Sequence, residues 1–167
     1  FSTKRNLRKE QMVDILNTQF VDNKQNVLIS GATGVGKTYL ACALANMACQ
    51  KTYTTSYFRV SRFLEYMNQE HALGNYLKYI EKIGKVNLLI LDDLGPDVMS
   101  ANQRKMFMEI IEERYLTAST IIASQLELQQ WYAVFGESTS ADAICDRLFH
   151  NAFKIELKGD SMRKNNT

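Results

Sequence analysis

The chain has a single proline, Pro96, and no tract rich in serine and glycine, so nothing marks a linker between domains. No segment repeats. The three cysteines are odd in number and lack metal-site spacing; Cys42 and Cys49 fall seven apart on a helical pattern rich in Ala and Leu, so all three read as small buried residues. His71 and His150 are isolated, which argues against a metal site built on histidine. No apolar run approaches the ~20 residues that cross a bilayer, and the opening Phe1-Ser2-Thr3-Lys4-Arg5 carries no signal-peptide pattern. No membrane partner is expected, and a cytoplasmic location is. Charge of one sign is also lacking: 20 Lys and Arg against 18 Asp and Glu leave a net charge of +2, so any basic surface must be local. What remains is 167 residues, 46% of them apolar, enough for one core.

Glycine is sparse, yet three of the eight cluster in Gly31-Ala32-Thr33-Gly34-Val35-Gly36-Lys37-Thr38, which matches G-x-x-x-x-G-K-S/T. The apolar Val27-Leu28-Ile29 before it reads as the strand that feeds the loop. Such a loop curls with its N–H groups inward, and together with the next helix N-terminus it cradles phosphate oxygens. Lys37 would supply a point charge to the β and γ phosphates and Thr38 a hydroxyl for Mg²⁺. A nucleoside triphosphate is the expected ligand.

Leu88-Leu89-Ile90-Leu91 is fully apolar and stops at Asp92-Asp93. That is the form of a Walker B strand: buried on both faces as in a parallel sheet, with its acids at the carboxyl end where ligands sit. Asp92 would lie beside the phosphate loop and hold Mg²⁺ through water, and Asp93 would orient the attacking water. An acidic pair before Gly95-Pro96 also fits a solvated turn; the upstream loop decides between the two.

Apolar spacing predicts helices over 9–19, 37–50, 62–68, 75–82, 103–115 and 141–150, and strands over 56–60, 119–123 and 152–157 beside the two already placed. Five strands alternating with helices give an α/β fold, a three-layer α/β/α sandwich with a mainly parallel sheet. The strand Thr120-Ile121-Ile122-Ala123 ends in Ser124-Gln125 at the same carboxyl edge, where a polar side chain either touches the γ phosphate or caps the next turn. Arg147 stands late in a helix before the last strand, a place usually held by a solvated or ion-paired arginine.

The order of phosphate loop, Leu88-to-Asp93 strand, polar strand end and pre-strand arginine resembles an AAA+ ATPase core. Residues 121–126, Trp131, residues 141–148 and residues 155–164 resemble the IstB branch of the IstB/DnaC-type ATPases, and the likeness covers nearly the full chain. The resemblance implies ATP/ADP and Mg²⁺ as cofactors, Gln125 at the sensor-1 position with Ser124 as fallback, and Arg147 as an arginine finger acting on a neighbouring subunit's ATP. It also implies a nucleotide-sensing role for Arg163, and a helical insertion facing DNA between the second strand and the Walker B strand. Asp93 departs from the usual glutamate by one methylene, and Glu127 replaces a common proline. Only residues 158–167 follow the last strand, so no full helical lid is expected, and residues 1–167 read as an ATPase domain excised from a longer protein with an N-terminal module.

The leading expectation is a DNA-associated ATPase that forms a homo-oligomer on duplex DNA and assists a transposase. The alternatives are a helicase loader acting on single-stranded DNA, or a nucleotide-regulated interaction module with little hydrolysis. Arg59, Arg62, Lys78, Lys82 and Lys85, interleaved with Tyr57, Phe58, Tyr66, Tyr76 and Tyr79, either engage DNA phosphates or form solvated faces over core aromatics.

Overall fold

The computed structural model describes residues 9–136 and 138–165. Helices α1 (Lys9–Leu16) and α2 (Gln19–Asp22) precede β1 (Asn26–Gly31), which the phosphate loop joins to α3 (Lys37–Gln50). Next come β2 (Thr55–Arg59), α4 (Val60–Ala72), α5 (Tyr76–Gly84), β3 (Leu88–Leu94), α6 (Ala101–Arg114) and β4 (Ser119–Ser124). The chain closes with a 3₁₀ turn at Leu128–Gln130, α7 (Trp131–Val134), α8 (Thr139–Phe149), β5 (Ala152–Leu157) and a second 3₁₀ turn at Met162–Asn165.

The strands lie in the order β2-β3-β4-β1-β5, and every pairing is parallel. "Mainly parallel" therefore sharpens to wholly parallel. Period-two alternation divides the strand side chains between two cores. Val27, Ile29, Leu88, Ile90, Ile121 and Ala123 pack against α1, α2 and α3, while Leu28, Leu89, Leu91 and Ile122 pack against α4 to α8. The chain leaves β1 over one face through α3 and leaves β4 over the other through α7 and α8. Such a reversal opens a crevice at the carboxyl ends of adjacent strands, here β1 and β4.

Several boundaries differ from their sequence expectation for local reasons. The expected helix over 9–19 breaks at Thr18, which sits at φ 56 with its hydroxyl donating to Asn17 O, and α2 starts afresh. Helix α6 begins before 103 because Ser100 and Gln103 exchange a reciprocal capping pair. Helix α8 likewise begins early, with the Ser138 hydroxyl accepting from Ala141 N. Helix α4 starts at Val60, directly from the end of β2 with no loop.

Burial of the cysteines is corrected as well. Only Cys145 is buried; Cys42 and Cys49 are exposed. The buried stripe of α3 runs through Leu40, Ala41, Leu44 and Ala48, so residues 42 and 49 lie one step off it, together on the solvent side. Burial pushes the Cys145 thiol up to about 12.

Candidate functional site

The phosphate loop hangs between β1 and α3, pinned from below by Val35, which is 3% exposed in the α3-side core. Gly34 and Gly36 take φ 86 and 101, the left-handed region that a Cβ disfavours. Gly34 has a second reason to lack a side chain: an added Cβ would stand 2.3 Å from Ser161 Oγ. The segment after β5 thus folds back onto the loop, and Met162 N donates to Gly34 O at 2.9 Å.

Lys37 directs its ammonium at Gly31 O (2.6 Å) and Ala32 O (2.8 Å), along the inner side of the loop. Burial lowers its pKa from the ordinary lysine value; Asp92 and Asp93 oppose that shift, and Arg163 adds to it. Thr38, one residue into α3, donates from Oγ1 to Asp92 Oδ2 at 2.7 Å. This meeting follows from sheet geometry, since Asp92 shares the face of Leu88 and Ile90 that α3 covers. At 4% exposure Asp92 is a buried carboxylate held by hydroxyls.

Asp93 is exposed and adopts φ 65 at an irregularity where the β3–β4 register shifts between Leu91 and Leu94. Aspartate tolerates that conformation better than most residues. The turn carries the second carboxylate to the cleft wall instead of back into the sheet. The cleft measures about 620 Å³ and is lined by Thr33, Gly34, Gly36, Lys37, Thr38 and Tyr39 on the loop side. Arg59, Asp92, Asp93, Gly95, Pro96, Gln125, Met162 and Arg163 complete it.

The strand-end pair separates cleanly. Gln125 faces the cleft and accepts from Thr33 Oγ1 at 3.0 Å. Ser124 is fully buried; its hydroxyl donates to Leu94 O at 2.6 Å and accepts from Leu126 N, so it ties β4 to the end of β3. The fallback sensor reading of Ser124 is thereby corrected to a structural one. Arg163 does line the cleft. Arg147 does not: it donates to Ala143 O within α8 and pairs with Glu112 Oε1 of α6 at 2.9 Å.

Two residues of β2 serve the cleft and its carboxylate, not the basic and aromatic surface that the sequence suggests. Tyr57 OH donates to Asp92 Oδ2 at 2.6 Å, and burial followed by that bond raises its pKa above the ordinary tyrosine value. Arg59, aligned with Asp92 in register, borders the cleft, whereas Arg62, Lys78, Lys82 and Lys85 do not line it. The signal was present, because Arg59 ends a parallel strand at the ligand-bearing edge. Of the other aromatics, Phe58, Tyr76 and Tyr79 pack on the core, and Phe58 contacts the rings of Phe63 and Tyr66. Arg62 pairs with Glu65 within α4, and Lys85, just past the end of α5, pairs with Glu81.

Across residues 1–167 the chain matches the model of the IstB-like ATP binding protein family. It belongs to that family. An insertion sequence ATP-binding protein of Sinorhizobium fredii is 39% identical over 165 residues, covering 99% of this chain and 67% of that protein. The ATP-binding protein of insertion sequence IS232 from Bacillus thuringiensis is 30% identical over 166 residues, covering 98% and 65%. The chain thus spans about two thirds of the length of these IstB-like relatives. Among solved structures the fold is similar to the DnaC helicase loader (TM-score 0.74, 20% identity, 94% of each chain) and to DnaI (TM-score 0.73, 24% identity, 92% of this chain and 88% of that one). It is also similar to the replication initiator DnaA bound to AMPPCP and single-stranded DNA (TM-score 0.74, 21% identity, 92% of this chain and 48% of that one). At those identities the likeness carries the α/β fold alone, and the IstB-like family carries the ATP-binding role. Among the described residues no helix is long and apolar enough to cross a membrane.

Proposed function

We propose that this IstB-like domain hydrolyses ATP as part of an oligomer assembled on duplex DNA, and that the assembly presents that DNA to a transposase. The observation that carries the reading is the phosphate loop of residues 31–38 joined to Asp92 through Thr38, in a chain that belongs to a family of insertion-sequence ATP-binding proteins.

Backbone N–H groups of residues 32–38 would bind the phosphate oxygens, and Lys37 would exchange its two loop carbonyls for the β and γ phosphates. The Thr38 hydroxyl and Asp92 carboxylate, 2.7 Å apart, are hard oxygen donors of the kind Mg²⁺ takes, so this pair fits the ion. When bound, Mg²⁺ neutralises charge on the transferring phosphate. Asp93, at the cleft wall, would accept a hydrogen bond from the attacking water, with Gln125 beside Thr33 fixing the far side.

Arg147 would complete the site of the adjacent subunit. Its side chain is 30% exposed and its Glu112 partner 49%, so their ion pair is weak enough to exchange for a phosphate. An arginine supplied across an interface makes hydrolysis depend on assembly. Contact with DNA would be dominated by phosphates and weakened by salt.

The test is binding of the full-length parent protein to duplex and single-stranded DNA, with ATP and with ADP, while particle size is recorded. ATP-dependent assembly on duplex is the expected outcome. Preference for single strands would replace the proposal with helicase loading, and DNA binding indifferent to nucleotide would replace it with a switch module.

A further inference from the structure

Asp92 Oδ2 receives two hydroxyl donors from different elements, Thr38 at 2.7 Å from α3 and Tyr57 at 2.6 Å from β2. Only the first belongs to the loop motif. Tyr57 reaches Asp92 because β2 runs parallel to β3 with Tyr57 beside Ile90 and Arg59 beside Asp92, so the tyrosine stands one pleat below the carboxylate on the same face. A phenol is long enough to span that step. Serine or threonine at residue 57 would fall short.

From this geometry we infer that Tyr57 is a positioning residue for the metal-binding carboxylate: its hydroxyl fixes the rotation of Asp92 so that one oxygen faces Thr38 and the ion. The inference rests on the nucleotide-site reading above and deepens it. Partners of a ligating carboxylate set its orientation, and losing one typically costs about 10–100-fold in metal affinity. Because nucleotide phosphates share the ion here, the effect belongs near the lower end of that range.

The position also places the metal site next to the inserted helices. Tyr57 lies two residues before Arg59, and α4 begins at Val60 without a loop. Asp92 is thus linked to the base of α4 through the Tyr57 hydroxyl and the end of β2.

Tyr57→Phe in the full-length protein tests the inference. Tyr57 is 43% exposed and loses only its hydroxyl, so the fold is retained, which circular dichroism checks. ATP binding is titrated by calorimetry across Mg²⁺ concentrations and in EDTA. The expected result is an unchanged affinity in EDTA with the Mg²⁺ midpoint raised about tenfold, and no further effect of Tyr57→Phe in an Asp92→Asn background. A Mg²⁺ curve that overlays the wild type, or an equal loss with and without Mg²⁺, overturns the role of Tyr57 alone. A wild-type protein whose ATP binding ignores Mg²⁺ overturns both this role and the metal-site reading.

Discussion

Arg59 shows how one residue changes meaning once its strand is placed. In sequence it heads a run of basic and aromatic residues that suits a nucleic-acid surface; in the fold it ends β2 beside Asp92 and borders the phosphate cleft. With ATP bound as proposed, a cation at the Asp92 and Asp93 end of the cleft would lie toward the third phosphate. Arg59→Ala should therefore weaken ATP more than ADP, lowering the ratio of their affinities by roughly fivefold, or about 1 kcal/mol. Equilibrium titrations with both nucleotides read this directly; an intact ratio with weakened DNA binding would return Arg59 to the DNA surface. The residues of the loop itself were legible because G-x-x-x-x-G-K-S/T is a backbone requirement written in glycines. Tyr57 was not, because its role depends on a register between β2 and β3 that no local pattern encodes. The buried role of Ser124 was equally hidden, since a strand-end hydroxyl can turn either way until its carbonyl partner is placed.

Elements were read more reliably than their ends. Helix α3 and strand β5 fall on their expected limits, as both are bounded by strong local signals, whereas α6 and α8 start early because of serine caps whose partners lie a turn ahead. The short α2 and α7 have too few residues to show a period in the sequence. Between elements, the least visible feature is Arg114. This last residue of α6 is 2% exposed and donates to Thr120 Oγ1 and to the carbonyls of Ile83, Val86 and Ser119, stapling the end of α5 to the start of β4. Its named partners are neutral oxygens, and burial lowers its pKa to about 10. Arg114→Met should leave those carbonyls without their donor and cost about 3 kcal/mol. In a domain of this size that lowers Tm by roughly 6–12 °C, with ATP affinity unchanged. Thermal unfolding followed by circular dichroism measures it, and a loss under about 1 kcal/mol would mean that water replaces the guanidinium.

At the scale of the whole molecule, the cleft of one chain holds Lys37, Thr38, Asp92, Asp93 and Gln125, while Arg147 lies outside it on α8, paired with Glu112 of α6. That division leads to an expectation no single variant can supply. On the proposed reading, Lys37→Ala would remove the phosphate cation from a subunit's own site but leave its Arg147 to serve a neighbour. Arg147→Ala would do the reverse. In the full-length protein each variant alone should be inactive, and an equal mixture should recover turnover, because an Arg147→Ala subunit with an intact loop can lie next to a Lys37→Ala subunit with an intact arginine. Random assembly makes such a junction at about a quarter of the sites, which sets the expected recovery relative to wild type. Steady-state phosphate release on DNA, measured across mixing ratios, should peak at equal amounts and vanish at either end. Mixtures that stay inactive while forming particles of normal size would place the arginine requirement within one chain, and Arg163, already at the cleft, would then be the arginine to test.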